Sequence, residues 1–89
     1  MSKVYLALQD TDVSRSIVEA VEEDNPEVTV NYMPAMIRIE NENQLVVKRE
    51  TVEEFLGRDW DVQELSLSLI TLGGNVDEDD EQFVLTWNA

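Results

Sequence analysis

The densest run of side chains able to hold an ion is Asp77-Glu-Asp-Asp-Glu81. Calcium favours such oxygens, but an EF-hand spreads its ligands over about twelve residues, with a turn glycine midway and a bidentate Glu at the end. This run has neither the spacing nor the glycine, and reads as a solvated acidic loop. Glu53 and Glu54 are neighbouring carboxylates of a type used in acid–base catalysis. Their place in the first turn of an expected helix explains them through the helix dipole instead. Gly73-Gly74 is too short to cradle a phosphate, and no Lys stands beside it. The chain has no Cys and no His. That removes zinc–thiolate sites, iron–sulfur clusters and thiol nucleophiles. Serine–histidine catalysis and histidine-ligated iron or copper go with them. Carboxylates, a few Lys and Arg and a pair of Tyr are left, so a non-enzymatic protein with no cofactor and no metal site is expected.

Composition narrows the partners. The net charge is −14, from 20 acidic and 6 basic residues. Such a surface repels nucleic-acid phosphates and anionic membranes, both of which select Lys and Arg. It suits solubility, and equally the steering of a basic protein partner. The 89 residues, 43% of them hydrophobic, fit one domain spanning 1–89. No apolar run is long enough to span a membrane and no signal-peptide pattern is present, so a cytoplasmic location is expected.

The elements that would position any site are legible from period and punctuation. Val4–Gln9 reads as a first strand, apolar on both faces and therefore central. Asp10, Thr11 and Asp12 offer N-caps for a helix to about Asp24, with Val13, Ile17, Ala20 and Val21 on its buried stripe. Asn25-Pro26 ends it, since the residue before proline avoids the helical region. Glu22, Glu23 and Asp24 crowd the negative end of that helix; with Glu19 and Glu27 they form either a solvated cluster or a patch for a basic partner. Val28–Tyr32 and Ala35–Ile39 read as strands separated by Met33-Pro34. Asn41-Glu-Asn43 reads as a hairpin joining Met36–Glu40 to Leu45–Lys48. Thr51 with Glu54 has the form of a capping box, and Asp61 with Glu64 a looser version, with Trp60 and Leu65 at staple positions. Gly57 is a left-handed stop between the two turns. Leu65-Ser-Leu-Ser-Leu69 alternates as a half-buried strand does, continuing to Leu72. Gly73-Gly-Asn75 forces a turn, and Phe83–Trp87 forms the last strand. The expected fold is α+β: a mostly antiparallel sheet packed by one longer helix and two short ones, in the order β-α-β-β-β-α-α-β-β.

Two stretches carry no charge in a chain that is 29% charged: Val28–Ile37 and Leu65–Val76. Half of their side chains belong in a core. The outward half draws on residues such as Asn31, Tyr32, Met33 and Met36, and Tyr and Met are enriched at interfaces. An uncharged surface beside an acidic rim fits protein docking.

Several segments together resemble a known family: Asp24-Asn25-Pro26, Tyr32-Met-Pro-Ala-Met-Ile-Arg-Ile39, Arg49-Glu-Thr-Val-Glu-Glu-Phe-Leu-Gly-Arg58, Asp61-Val-Gln-Glu-Leu65 and Ile70-Thr-Leu-Gly-Gly-Asn-Val76. Over nearly the whole chain they are similar to the effector proteins of bacterial multicomponent diiron monooxygenases, nearest the phenol hydroxylase type. The resemblance implies a cofactor-free regulatory protein that docks on a large diiron hydroxylase component. There it would promote substrate access, oxygen activation and coupled hydroxylation of an aromatic substrate, while a flavin and iron–sulfur reductase supplies electrons. Relatives acting on methane carry a longer N-terminal tail, a binding mode not expected of a chain that opens on its first strand. The resemblance implies contact surfaces and no catalytic residues. From the charge gaps, the contact face is placed on Asn31, Tyr32, Met33, Met36 and the turn Gly73, Gly74, Asn75. Two other classes fit the same composition. A stand-alone α+β sensor would bind a small molecule in a sheet cleft and be stabilised by it. An acidic nucleic-acid mimic would line its charges at phosphate spacing, whereas here they fall into clusters.

Overall fold

In a computed structural model that describes residues 3–87, the strands divide between two antiparallel sheets around one core. The chain order is β1 (Lys3–Gln9), α1 (Asp12–Asp24), β2 (Thr29–Met33), β3 (Met36–Glu42), β4 (Gln44–Lys48), α2 (Arg49–Leu56), a 3-10 turn (Val62–Glu64), α3 (Leu65–Ser68), β5 (Leu69–Gly73), β6 (Asn75–Glu78) and β7 (Gln82–Thr86). The four-stranded sheet runs β2-β3-β1-β5 and the three-stranded sheet β4-β7-β6. This is the expected α+β order with one further strand, β6, drawn from Asn75 of the expected turn, Val76 and the first two residues of the acidic run. None of the described helices is long and apolar enough to cross a membrane.

Hydrophobic alternation fixes the core. Val4, Leu6 and Leu8 of β1 are fully buried, as are Ile37 and Ile39 of β3, Leu45 and Val47 of β4, and Leu85 of β7. They meet Ile17, Val18, Ala20 and Val21 of α1, Val52 of α2, and Trp60, Val62 and Leu65. α1 starts where the sequence signals it, with the Thr11 hydroxyl accepting from the Ser14 N–H at 3.1 Å. It ends at Asn25, whose side chain is itself structural. Asn25 Nδ2 donates to the Val21 and Val46 carbonyls, and Asn25 Oδ1 accepts from the Val46 N–H. The Asn-Pro stop thereby pairs with the backbone of β4, an outer strand of its sheet.

Three local expectations are corrected. β3 and β4 follow one another but do not pair: at Asn43 (φ 66) the chain leaves the first sheet, and β4 runs against β7. Two strands flanking a turn look alike in sequence whether they share a sheet or not. Thr51 is no cap. α2 begins at Arg49 directly after β4, without a side-chain cap, because the Arg49 N–H donates to the Glu81 carbonyl in the β6–β7 turn. Thr51 then lies inside the helix, buried. The alternation Leu65-Ser-Leu-Ser is helical, and the strand starts only at Leu69. The reason lies just upstream: the Asp61–Glu64 capping box forms, with Asp61 Oδ1 accepting from Gln63 N–H and Glu64 Oε2 from Asp61 N–H. Helical winding launched there continues through Ser68, burying Val62, Leu65 and Ser68 at a spacing of about three and leaving Leu67 outside.

Candidate docking surface

Pairing register determines which residues share a face, because directly opposed residues point the same way and successive residues alternate. In the four-stranded sheet, Leu6 and Leu8 oppose Ile39 and Ile37, so these define the core face. The other face is built of a terminal row, Lys3 and Glu42, followed by three more. One holds Thr29, Glu40, Tyr5 and Gly73; the next Asn31, Arg38, Ala7 and Thr71; the last Met33, Met36 and Gln9. Apart from Ala7, these side chains are exposed or half-buried, so this is the open side of the sheet. From β2 to β5 it spans roughly 14 Å at about 4.8 Å per strand.

Asn31, Met33, Met36 and Gly73 therefore lie on one face, although the sequence separates them into two stretches. Tyr32 does not join them. It opposes Ile37 on the core side, at the sheet edge, where it is 62% exposed. The Arg15 guanidinium lies 6.0 Å from its ring centroid and pairs with Asp10 at 2.8 Å. Gly74 (φ 139) is the crossing point between the sheets, and Asn75 already belongs to the second, facing Thr86.

Gly73 is explained by Tyr5. A β-carbon at residue 73 would stand 2.2 Å from Tyr5 Cε1, so the ring occupies the space that only glycine leaves open. Diagonally across the sheet, the Arg38 guanidinium lies over the same ring at 4.3 Å from its centroid. Arg38 Nε donates to Glu40 Oε2 at 2.8 Å. Glycine, phenol ring and guanidinium thus form a layered centre to a face on which Lys3 and Arg38 balance Glu40 and Glu42.

Two apolar residues escaped the sequence reading. Leu67 is 77% exposed and Ile70 47%; they lie where α3 hands over to β5, beside the register shift between Ala7 and Leu8. Reading residues 65–69 as a strand hid Leu67. A helical period would have placed it outside, opposite Leu65 and Ser68. A separate cleft of about 630 Å³, to which neither Leu67 nor Ile70 contributes, is lined by Val62, Leu65, Leu69, Leu72, Val76 and Phe83 and by the acidic Asp61, Glu78, Asp79 and Asp80. Its acidic rim is partly engaged in folding: Asp79 Oδ1 accepts from the Glu81 and Gln82 N–H groups and so shapes the β6–β7 turn. Among the described residues, no group of carboxylates is arranged to hold a metal ion. Glu53 likewise serves structure. The Trp60 N–H and the Arg49 guanidinium both bind its carboxylate, and they hold its pKa below the ordinary Glu value.

The sequence profile of the MmoB/DmpM family matches residues 2–86. The chain belongs to that family. A relative in Pseudomonas sp. (strain CF600), the stimulatory component DmpM of phenol 2-monooxygenase, is 60% identical over 86 residues, 97% of this chain and 96% of that one. A chain from a structure of the phenol hydroxylase–regulatory protein complex superposes with a TM-score of 0.92 at 55% identity, over 98% of this chain and all of that one. The regulatory protein B of soluble methane monooxygenase shares the fold at TM-score 0.76 and 21% identity, with 97% of this chain matched to 65% of that one. Family membership fits an open sheet face and an exposed apolar edge, features suited to contact with another protein.

Proposed function

We propose that this protein is the regulatory component of a phenol hydroxylase-type monooxygenase: a non-catalytic partner that docks on the large diiron hydroxylase and promotes substrate access, oxygen activation and coupled hydroxylation. The observation that carries this reading is the backbone match over nearly the whole chain, at 55% identity, to a chain solved within a phenol hydroxylase–regulatory protein complex. A flavin and iron–sulfur reductase supplies the electrons and meets this protein only through the hydroxylase. Such a regulator acts by holding one hydroxylase conformation more tightly than another, and its effect is bounded by that difference in affinity.

Docking uses the open face of the four-stranded sheet, with Asn31, Met33, Met36 and Gly73, and continues over the exposed Leu67 and Ile70 at its β5 edge. Tyr32, Gly74 and Asn75 flank this surface. Apolar anchors in such a position carry most of an interface's energy, while the charged rim sets orientation and encounter rate. Steady-state phenol oxidation by purified hydroxylase and reductase, with and without this protein, tests the function. A rise that saturates near the hydroxylase concentration is expected, and no rise with metal-loaded components overturns it. Leu67→Asp or Met33→Glu should raise the concentration needed for half-maximal stimulation by about tenfold or more. Asp80→Lys in the β6–β7 turn should change it far less, and equal effects overturn the placement of the face.

A further inference from the structure

We propose that Arg38 is the specific anchor of the docking face, where it receives a carboxylate side chain of the hydroxylase through the outer edge of its guanidinium. The inference rests on the regulatory reading above and adds to it a named residue and the chemistry of its partner.

Arg38 differs from the other described arginines in where it sits: on the open sheet face, stacked over the Tyr5 ring. Arg15 spends both Nε and Nη2 on Asp10. Arg49 pairs with Glu53 one helical turn away, and Arg58 donates Nη1 to the Asp59 carbonyl. Arg38 stands on β3, an interior strand, in an inner row of the open face. Among the described residues its Nε donates to Glu40 and neither terminal nitrogen has a partner. The Tyr5 ring beneath it and Glu40 beside it fix the plane of the guanidinium. Gly73 in turn fixes the ring. A planar fork held in place before binding loses little entropy on engaging a carboxylate, and its two terminal N–H groups match the two oxygens.

Charge points the same way. The chain carries −14 overall, yet on this face Lys3 and Arg38 offset Glu40 and Glu42, which face them across the β1–β3 ladder or lie beside them. An acidic side chain of a partner can approach here without meeting the excess negative charge found elsewhere on the surface. Once water is excluded by the surrounding Met33, Met36 and Asn31, the charged pair discriminates strongly between partners that present the carboxylate and those that do not.

Affinity for the purified phenol hydroxylase component, measured for the wild type and variants, tests the assignment. Arg38→Gln and Arg38→Lys should each weaken binding by about tenfold or more, because an ammonium supplies neither the fork nor the planar stack. Tyr5→Leu should weaken it by a smaller factor through loss of the platform. Urea midpoints and circular dichroism of each variant separate a docking defect from a folding defect. If Arg38→Gln, folded as the wild type, binds with wild-type affinity, the proposal is overturned. If Arg38→Lys binds as tightly as the wild type, the fork is overturned. A second measurement reads the partner's chemistry directly. At saturating concentrations, zero-length carbodiimide coupling of the Arg38→Lys variant should join position 38 to an Asp or Glu of the hydroxylase, located by peptide mass spectrometry. Coupling elsewhere in the complex with none at position 38 overturns the carboxylate assignment. Failure of the wild type itself to bind the hydroxylase would instead overturn the regulatory reading on which the proposal rests.

Discussion

At the scale of single residues, this protein spends its polar side chains on backbone bookkeeping. Asn25 is the clearest case. Its amide closes the last turn of α1 through the Val21 carbonyl and satisfies both backbone groups of Val46. Asn25→Ala would leave the Val46 N–H and C=O without those partners in a largely buried setting, where each unmet group costs about 1–3 kcal/mol. A loss of roughly 2–4 kcal/mol is therefore expected, read as a lower urea midpoint at unchanged slope. Asn25→Asp should fare no better at neutral pH, because a carboxylate would face two carbonyls that need a donor. Sequence alone shows why Asn25-Pro26 stops a helix. It does not show that the amide reaches a strand 21 residues further on. The same limit applies to Gly73, which stood out by its neighbours' lack of charge and owes its identity to a ring on β1.

The elements tell a similar story one level up. Signals confined to a few consecutive residues were legible: the Thr11 cap, the Asp61–Glu64 box, the left-handed Gly57 (φ 75) and the alternation of β1 all form as their residue types dictate. Signals that depend on a distant partner were not. Thr51 and Glu54 have the right types for a capping box, yet the Glu81 carbonyl accepts from the Arg49 N–H at the first position of α2, so the helix starts upstream of them. Leu65-Ser-Leu-Ser fits a strand and a helical turn equally at that length, and the box before it decides. Asn31, Met33, Met36 and Gly73 came from charge gaps, and only the register of β2-β3-β1-β5 reveals that they share a face that excludes Tyr32. Glu53 links two of these elements, tying α2 to the start of the Trp60 segment. Its folded-state pKa lies below its unfolded one, held there first by the Trp60 N–H and then by Arg49. The stabilisation is thus fully present above the ordinary Glu range and is lost as pH falls through the depressed folded value. Glu53→Gln should be less stable than the wild type at pH 7. The gap between the two should narrow steadily as urea denaturation is repeated from pH 6 down through the carboxylate range, and a gap independent of pH would assign the loss to packing instead.

For the molecule as a whole, the dominant physical fact is its charge. Twenty acidic side chains against six basic ones sit on a body measuring 35 × 31 × 22 Å. At about 0.01 M salt the screening length is roughly 30 Å, so nearly every carboxylate repels every other; at about 0.1 M it is roughly 10 Å and the repulsion becomes local. Unfolding separates these charges, which means that low salt favours the unfolded chain. The described ion pairs, Arg15–Asp10, Arg38–Glu40, Arg49–Glu53 and the longer Arg58–Glu64, are surface pairs of a kind that contributes little each, too few to reverse the trend. Added sodium chloride, from about 0.01 M to about 0.3 M, should therefore raise the urea midpoint of the free protein, and a fall would mean that the pairs outweigh the repulsion. The same salt should act oppositely on association. If the acidic rim steers the protein toward a basic approach surface on the hydroxylase, the association rate falls steeply over that range, while dissociation, set by the apolar and Arg38 contacts proposed for the open face, changes little. Stopped-flow binding across the salt series separates the two. A salt-independent association rate would leave the negative charge as a device for solubility alone, with recognition residing wholly in the neutral face.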